Sequence, residues 1–163
     1  MDGMGGMDRT RLLDDETAGW VVLRGVLDQI PAERWREPTV IPGGWSVVTT
    51  TVHLAAWLDE CGRVLEAMAG GTWDPATEPS EAPDYVERVN AEHPARAAAV
   101  TPYEAEAAVA AARERARRGF ERLGELTPEA WSWFEESGPM HYAEHVHGLA
   151  VWLEGTLPPV STA

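Results

Sequence analysis

Apolar residues recur at helical spacing from one end of the chain to the other. Leu12, Leu13, Trp20, Leu23, Leu27 and Ile30 mark one face of a first helix over residues 9–30, and Pro31 ends it. Pro38, Pro42, Gly43 and Gly44 predict a loop. Ser46 then reads as the N-cap of a second helix, with Thr49 at its third position as a weak capping partner. Val52, His53, Ala56, Trp57, Glu60 and Val64 form the stripe of that helix, and Gly70-Gly71 stops it near residue 69.

Residues 71–100 contain Pro75, Pro79, Pro83 and Pro94 and read as a long crossover with one short helix around 84–92. Pro102 suits the first turn of a third helix reaching Leu123. Its inner side carries Ala105, Ala108, Ala112, Ala116, Phe120 and Leu123, small enough for a neighbouring helix to approach closely. Thr127-Pro128-Glu129 caps a short helix bearing Trp131 and Trp133, and Gly138-Pro139 opens a fourth long helix that ends near Gly155. No segment alternates like a strand, and there is no internal repeat. The expected fold class is all-α: a four-helix bundle with the long crossover between helices two and three. Residues 9–156 form one domain between tails at 1–8 and 157–163, with Pro158-Pro159 closing the ordered chain.

Composition narrows the function classes. The chain has 163 residues, 44% of them hydrophobic and 25% charged, as in ordinary globular domains. No apolar run approaches the ~20 residues that span a bilayer, and the start lacks the pattern of a signal peptide. A single cysteine, Cys61, suits a reducing cytoplasm and reads as a core residue. The formal net charge of −14 repels a phosphate backbone, so neither nucleic acid nor membrane is expected as a partner. The one basic cluster, Arg113, Arg115, Arg117 and Arg118, is interrupted by Glu114 and reads as a solvated helix face. All thirteen basic residues are arginine, which removes lysine Schiff-base chemistry and suggests a high-GC genome.

Five histidines carry the candidate chemistry. On a helix, His141 and His145 project about 40° apart around the axis and can close on one metal ion. His53, on the apolar stripe of helix two, is the best third ligand. Each histidine alone also reads as a hydrogen-bonded core residue. Three neutral imidazoles suit zinc first, with nickel or ferrous iron as alternatives, and leave a coordination position open as catalytic sites do. Glu144 is a candidate general base or a partner orienting an imidazole, and also reads as solvated. Glu60 is either a stripe-edge residue or a partner of the site. Trp57, Gly148 and Trp152 are candidate walls of a substrate pocket; Gly148 equally suits close helix packing. His147 points about 160° away from His145 and reads as exposed, and His93 beside Pro94 reads as surface. Eight tryptophans serve either as core fillers or as the lining of an apolar ligand site.

Three patches resemble the DinB-like superfamily, which includes the maleylpyruvate isomerase amino-terminal domain and the colibactin self-protection branch. Gly44-Trp45-Ser46-Val47 followed by Val52-His53-Leu54-Ala55-Ala56-Trp57 is similar to the family's Trp-Ser-Val and His-Leu pattern. Asn90 stands where several members have an asparagine, and His141-Tyr142-Ala143-Glu144-His145 looks like the family's last-helix His-x-x-x-His. The likeness covers residues 10–155. Val48-Thr49 replace a frequent Lys-Asp pair, and His141 stands where the isomerase branch often has glutamate. The resemblance implies an up-down-down-up bundle holding one divalent metal through His53, His141 and His145.

The expected function is that of a cytoplasmic metal-dependent enzyme, a thiol transferase, isomerase or hydrolase acting on a small electrophilic molecule. A thiol cosubstrate of the mycothiol type, or water, would be the activated nucleophile, with Glu144 or Glu60 moving a proton. The alternative is a non-catalytic small-molecule binding or self-protection module using the same pocket. A third reading is an interaction protein, self-associating as a homodimer through helices one and two.

Overall fold

The computed structural model describes residues 8–156. Residues 1–7 and 157–163, and with them the expected tails and Pro158-Pro159, lie outside the described residues. Regular structure among the described residues is helical, apart from one isolated bridge between Pro38 and Ser46. No helix among them is long and apolar enough to cross a membrane.

Helix α1 (Arg9–Leu27) starts at Asp8, whose Oδ1 accepts the backbone N–H of Thr10 at 3.0 Å and of Arg11 at 3.3 Å. Those are donors that a helix start leaves unpaired, so Asp8 belongs to the fold and not to a tail. Gly43 and Gly44 turn the next loop at φ of +84° and +67°, a region that favours glycine. The turn brings Trp45 over the start of α2 (Val47–Ala69). There Ser46 Oγ accepts the Thr49 N–H at 3.1 Å, and the Thr49 hydroxyl lies 3.0 Å from the same oxygen. The cap expected from Ser46 and Thr49 is present.

The crossover holds more helix than its prolines suggest. Helix α3 (Tyr85–Ala98) runs through Pro94, two turns of which were read as loop. An internal proline withholds one backbone bond and costs a helix about 3 kcal/mol. Here the last turn buries His93 and Ala97, and that burial offsets the loss. Helix α4 (Pro102–Glu121) opens with a capping box: Thr101 Oγ1 accepts the Glu104 N–H, and Glu104 accepts the Thr101 N–H. Helix α5 (Pro128–Glu135) begins at Thr127, as expected. Gly138-Pro139 opens no new helix. They lie in a π-turn (Glu136–Met140) that joins α5 to α6 (His141–Thr156) in one continuous helical rod.

Contacts between side chains fix the helix directions. Arg9, at the start of α1, reaches the carbonyls of Glu121 and Leu123 beyond the end of α4, and Arg24, near its end, reaches Glu106. Those two helices are therefore antiparallel. Gly62 faces Ala116, and Gly119 faces Leu65, so α2 and α4 run parallel. A Cβ on Gly62 would sit 2.7 Å from Arg115 Cγ, so this crossing tolerates no larger residue without rearrangement. Gly19 abuts Tyr142, and Arg34, beyond the end of α1, stacks 4.5 Å over the Trp152 ring and reaches Thr156, which makes α1 and α6 parallel. The crossover carrying α3 gives the chain the length to return for a parallel α2–α4 pair.

The core forms where these faces meet. Leu12, Leu23 and Leu27 of α1, Leu54, Leu58 and Leu65 of α2, and Val109, Ala112, Ala116 and Phe120 of α4 are buried. Phe120 stacks on Phe134 with centroids 4.2 Å apart. Of the expected inner residues of α4, only Ala108 is exposed. The reading of the arginines as a solvated face is corrected. Arg113 and Arg117 both bind the buried carboxylate of Glu16, which also accepts from Tyr142 OH at 3.0 Å. Arg115 ties α4 to Asp59 and Glu66 on α2, at 2.8 and 2.7 Å.

Candidate metal centre

His53 lies near the start of α2, about two turns from the Ser46 cap, and His141 and His145 occupy the first turns of α6. Their rings converge. His53 Nε2 is 2.7 Å from His141 Nε2, and His145 Nε2 is 3.1 Å from the same atom. One ligating atom from each of the three lies within 4.8 Å of those of the other two. In a tetrahedral zinc site with Zn–N of ~2.0–2.1 Å, neighbouring nitrogens stand about 3.4 Å apart. Small ring rotations bridge that difference, so the donor set fits a divalent ion.

Burial favours the ligating form of these rings. His53 and His145 are 5% and 8% exposed, and His141 is half-buried. Burial, reinforced by the neighbouring imidazoles, holds His53 down to about 2 and His141 down to about 3; burial also lowers His145. The cluster is neutral at pH 7, and neutral imidazole is the state that binds metal. The π-turn contributes directly. The Ser137 backbone within it partly offsets the lowering at His141. Such π-bulges within helices are frequent at functional sites.

The three rings stand at the inner wall of an open cavity of about 640 Å³. Trp45, Trp57, Tyr85 and Trp133 supply aromatic walls, and Ile41, Asn90 and Ser137 also face it. The Trp45 ring meets His53 edge-on at 4.9 Å between centroids. Trp57 is a wall as expected, and its indole N–H donates to Asn90 Oδ1 at 3.0 Å. Glu144 lines the cavity and is exposed to it.

No family model, curated protein or solved structure matches the chain. Function is therefore read from the chemistry of this site.

Other expected site residues lie elsewhere. Glu60 does not line the cavity. Its carboxylate accepts from Arg63 at 2.8 Å and from Tyr85 OH at 2.7 Å, and the Arg63 bond holds its pKa below the usual range. A carboxylate so engaged is a poor proton acceptor; its role is to hold Tyr85 in the cavity wall. Gly148 leaves room for a neighbouring side chain, not for substrate: a Cβ there would meet Ile41 Cγ1 at 3.1 Å. Trp152 is buried near the far end of α6 under Arg34 and does not face the cavity. Cys61 is a core residue as read, its thiol pushed up to about 12 by burial. His147 is exposed as read.

His93 overturns its surface reading. It is fully buried, and its Nδ1 lies 3.1 Å from His53 Nδ1. The signal was present in the spacing of Asn90, His93 and Ala97, one helix face at i, i+3 and i+7. Pro94 hid it by ending the predicted helix nearly two turns early. Trp45, open in the sequence between core filler and ligand lining, is part of the site.

Proposed function

We propose that this protein binds one divalent metal ion, zinc first and nickel or iron as alternatives, through His53, His141 and His145, and acts as an enzyme on a small electrophilic molecule. The observation that carries the reading is the convergence of three neutral imidazoles on one point at the wall of an open cavity. Three protein ligands leave a position for a substrate or nucleophile. A divalent ion in such a site lowers the pKa of a bound water or thiol, here water or a mycothiol-type cosubstrate. Glu144, which lines the cavity with Glu81 and Glu136 and acts on His145, is the carboxylate we assign to accept a proton. Trp45, Trp57 and Tyr85 hold the apolar body of a substrate and limit water around it.

Two further features support the DinB-like reading. The residues that carried the resemblance, Trp45, His53, Asn90, His141 and His145, all face one cavity. The helix directions, with α2 and α4 parallel to each other and α1 antiparallel to α4 but parallel to α6, follow the up-down-down-up order. The aromatic walls also favour a second reading, a non-catalytic module that sequesters a small apolar ligand in a cytoplasmic setting.

Metal analysis of purified protein beside His53→Ala tests the first reading. About one equivalent in the wild type and none in the variant is expected. Equally negligible metal in both, after incubation with zinc, nickel or ferrous iron, ends it. Stabilisation by ligand without turnover, across panels of thiols and epoxides, would select the binding module.

A further inference from the structure

We propose that His93 is the positioning partner of His53, accepting the hydrogen on His53 Nδ1 when His53 Nε2 holds the metal. The inference rests on the metal-binding reading above and concerns a residue outside the ligand set. His93 sits on α3, 0% exposed, its Nδ1 3.1 Å from His53 Nδ1, and its Nε2 has no hydrogen-bonding partner. Two neutral imidazoles in such contact share one hydrogen, so one nitrogen donates and the other accepts. Which does so is dictated from the far side of His53.

There, His53 Nε2 lies 2.7 Å from His141 Nε2. Coordination through His53 Nε2 requires that nitrogen's lone pair. The hydrogen of His53 then stands on Nδ1 and is donated to His93 Nδ1, 3.1 Å away, and the hydrogen of His93 stands on Nε2. His93 is thus a positioning residue, the partner that a metal-bound histidine normally finds for its second nitrogen.

Nitrogen-15 NMR of histidine-labelled protein, chelator-treated and then titrated with zinc chloride, reads this directly. The expected result in the zinc-loaded protein is His53 protonated at Nδ1 and His93 protonated at Nε2, although His93 binds no metal. In parallel, His93→Leu is expected to weaken zinc binding 10–100-fold, the usual loss for such a partner. His93→Gln, which keeps an acceptor oxygen, is expected to recover most of that loss. Zinc bound at His53 with His93 protonated at Nδ1, or wild-type zinc affinity in a folded His93→Leu protein, overturns this inference and leaves the metal site standing. No zinc bound by the wild type overturns the metal-binding reading and this inference with it.

Discussion

Two buried polar clusters lie back to back on α6, and they are built on opposite principles. Tyr142 points into one and its chain neighbour His141 into the other. In the first, the Glu16 carboxylate receives Arg113 through two nitrogens at 2.6 and 2.9 Å, Arg117, and Tyr142 OH at 3.0 Å. The carboxylate lies between two positively charged guanidinium groups, and each of its oxygens accepts two bonds. In the second, four imidazoles crowd together, three nitrogen pairs stand at 2.7, 3.1 and 3.1 Å, and one nitrogen has no partner. The first cluster is closed and can only hold α1, α4 and α6 in register. The second turns lone pairs toward a cavity, an arrangement that has a use only if something is to be bound. The closed cluster also serves the open one. By anchoring Tyr142 it fixes the rotation of α6, and with it the directions of His141 and His145.

The largest test of this contrast removes the closed cluster's acid. Glu16→Ala leaves two arginines and a phenol half-buried or buried without their acceptor, and loss of one partner from a buried pair costs about 3–5 kcal/mol. Urea denaturation at neutral pH is expected to show a loss of that size. A loss below about 1 kcal/mol would show that the network does not anchor the bundle.

Acid acts on the open cluster at a similar scale. The folded values of His53 and His141, about 2 and about 3, lie below the ordinary value near 6.5. Between those limits the unfolded chain binds protons that the folded chain does not. Stability is therefore full above about pH 6.5 and is lost progressively as pH falls toward 3. At pH 5 the two rings together account for about 4 kcal/mol. Denaturation curves at pH 7 and pH 5 should differ by that amount, and a flat profile over this window would mean that the rings are protonated without unfolding.

Much of the open cluster was legible because its ligands sit on strongly patterned helices. Ser46 and Gly70 bracket α2 and so fix where His53 lies on its face, and His141 and His145 need only the 3.6-residue period. What escaped had other causes. His93 was hidden because an internal proline locally breaks helical propensity while tertiary burial sustains the helix. The joint at Gly138-Pro139 was read as a break because a π-turn has no periodicity signal of its own. Glu16 gave no sign of burial, since its partners are about 100 residues or more away and pairing across helices leaves no mark in local spacing. Trp152 and Gly148 share the His145 face, yet the cavity covers only the first turns of α6. A shared helix face fixes direction around the axis and says nothing about how far along it a pocket extends.

The finest separation of the two clusters comes from His53→Leu at pH 7. Leucine contributes about 2 kcal/mol of apolar burial at this position. Against it, His93 Nδ1 and His141 Nε2 each lose a partner, at about 1–3 kcal/mol for an unsatisfied buried group. The balance is a loss of about 0–4 kcal/mol, centred on about 2 kcal/mol and below the effect of Glu16→Ala. Two other readouts should move. Zinc at a hundred times its dissociation constant stabilises the wild type by about 2.7 kcal/mol and should leave the variant unshifted in a thermal scan. One titrating ring fewer should also flatten the acid profile by about 1.4 kcal/mol per pH unit between pH 6 and 4, leaving the variant the more acid-resistant protein. A variant that loses as much stability as Glu16→Ala at neutral pH would place the histidines among the structural supports of the fold, because groups kept only for binding can be replaced by a well-packed side chain at little cost.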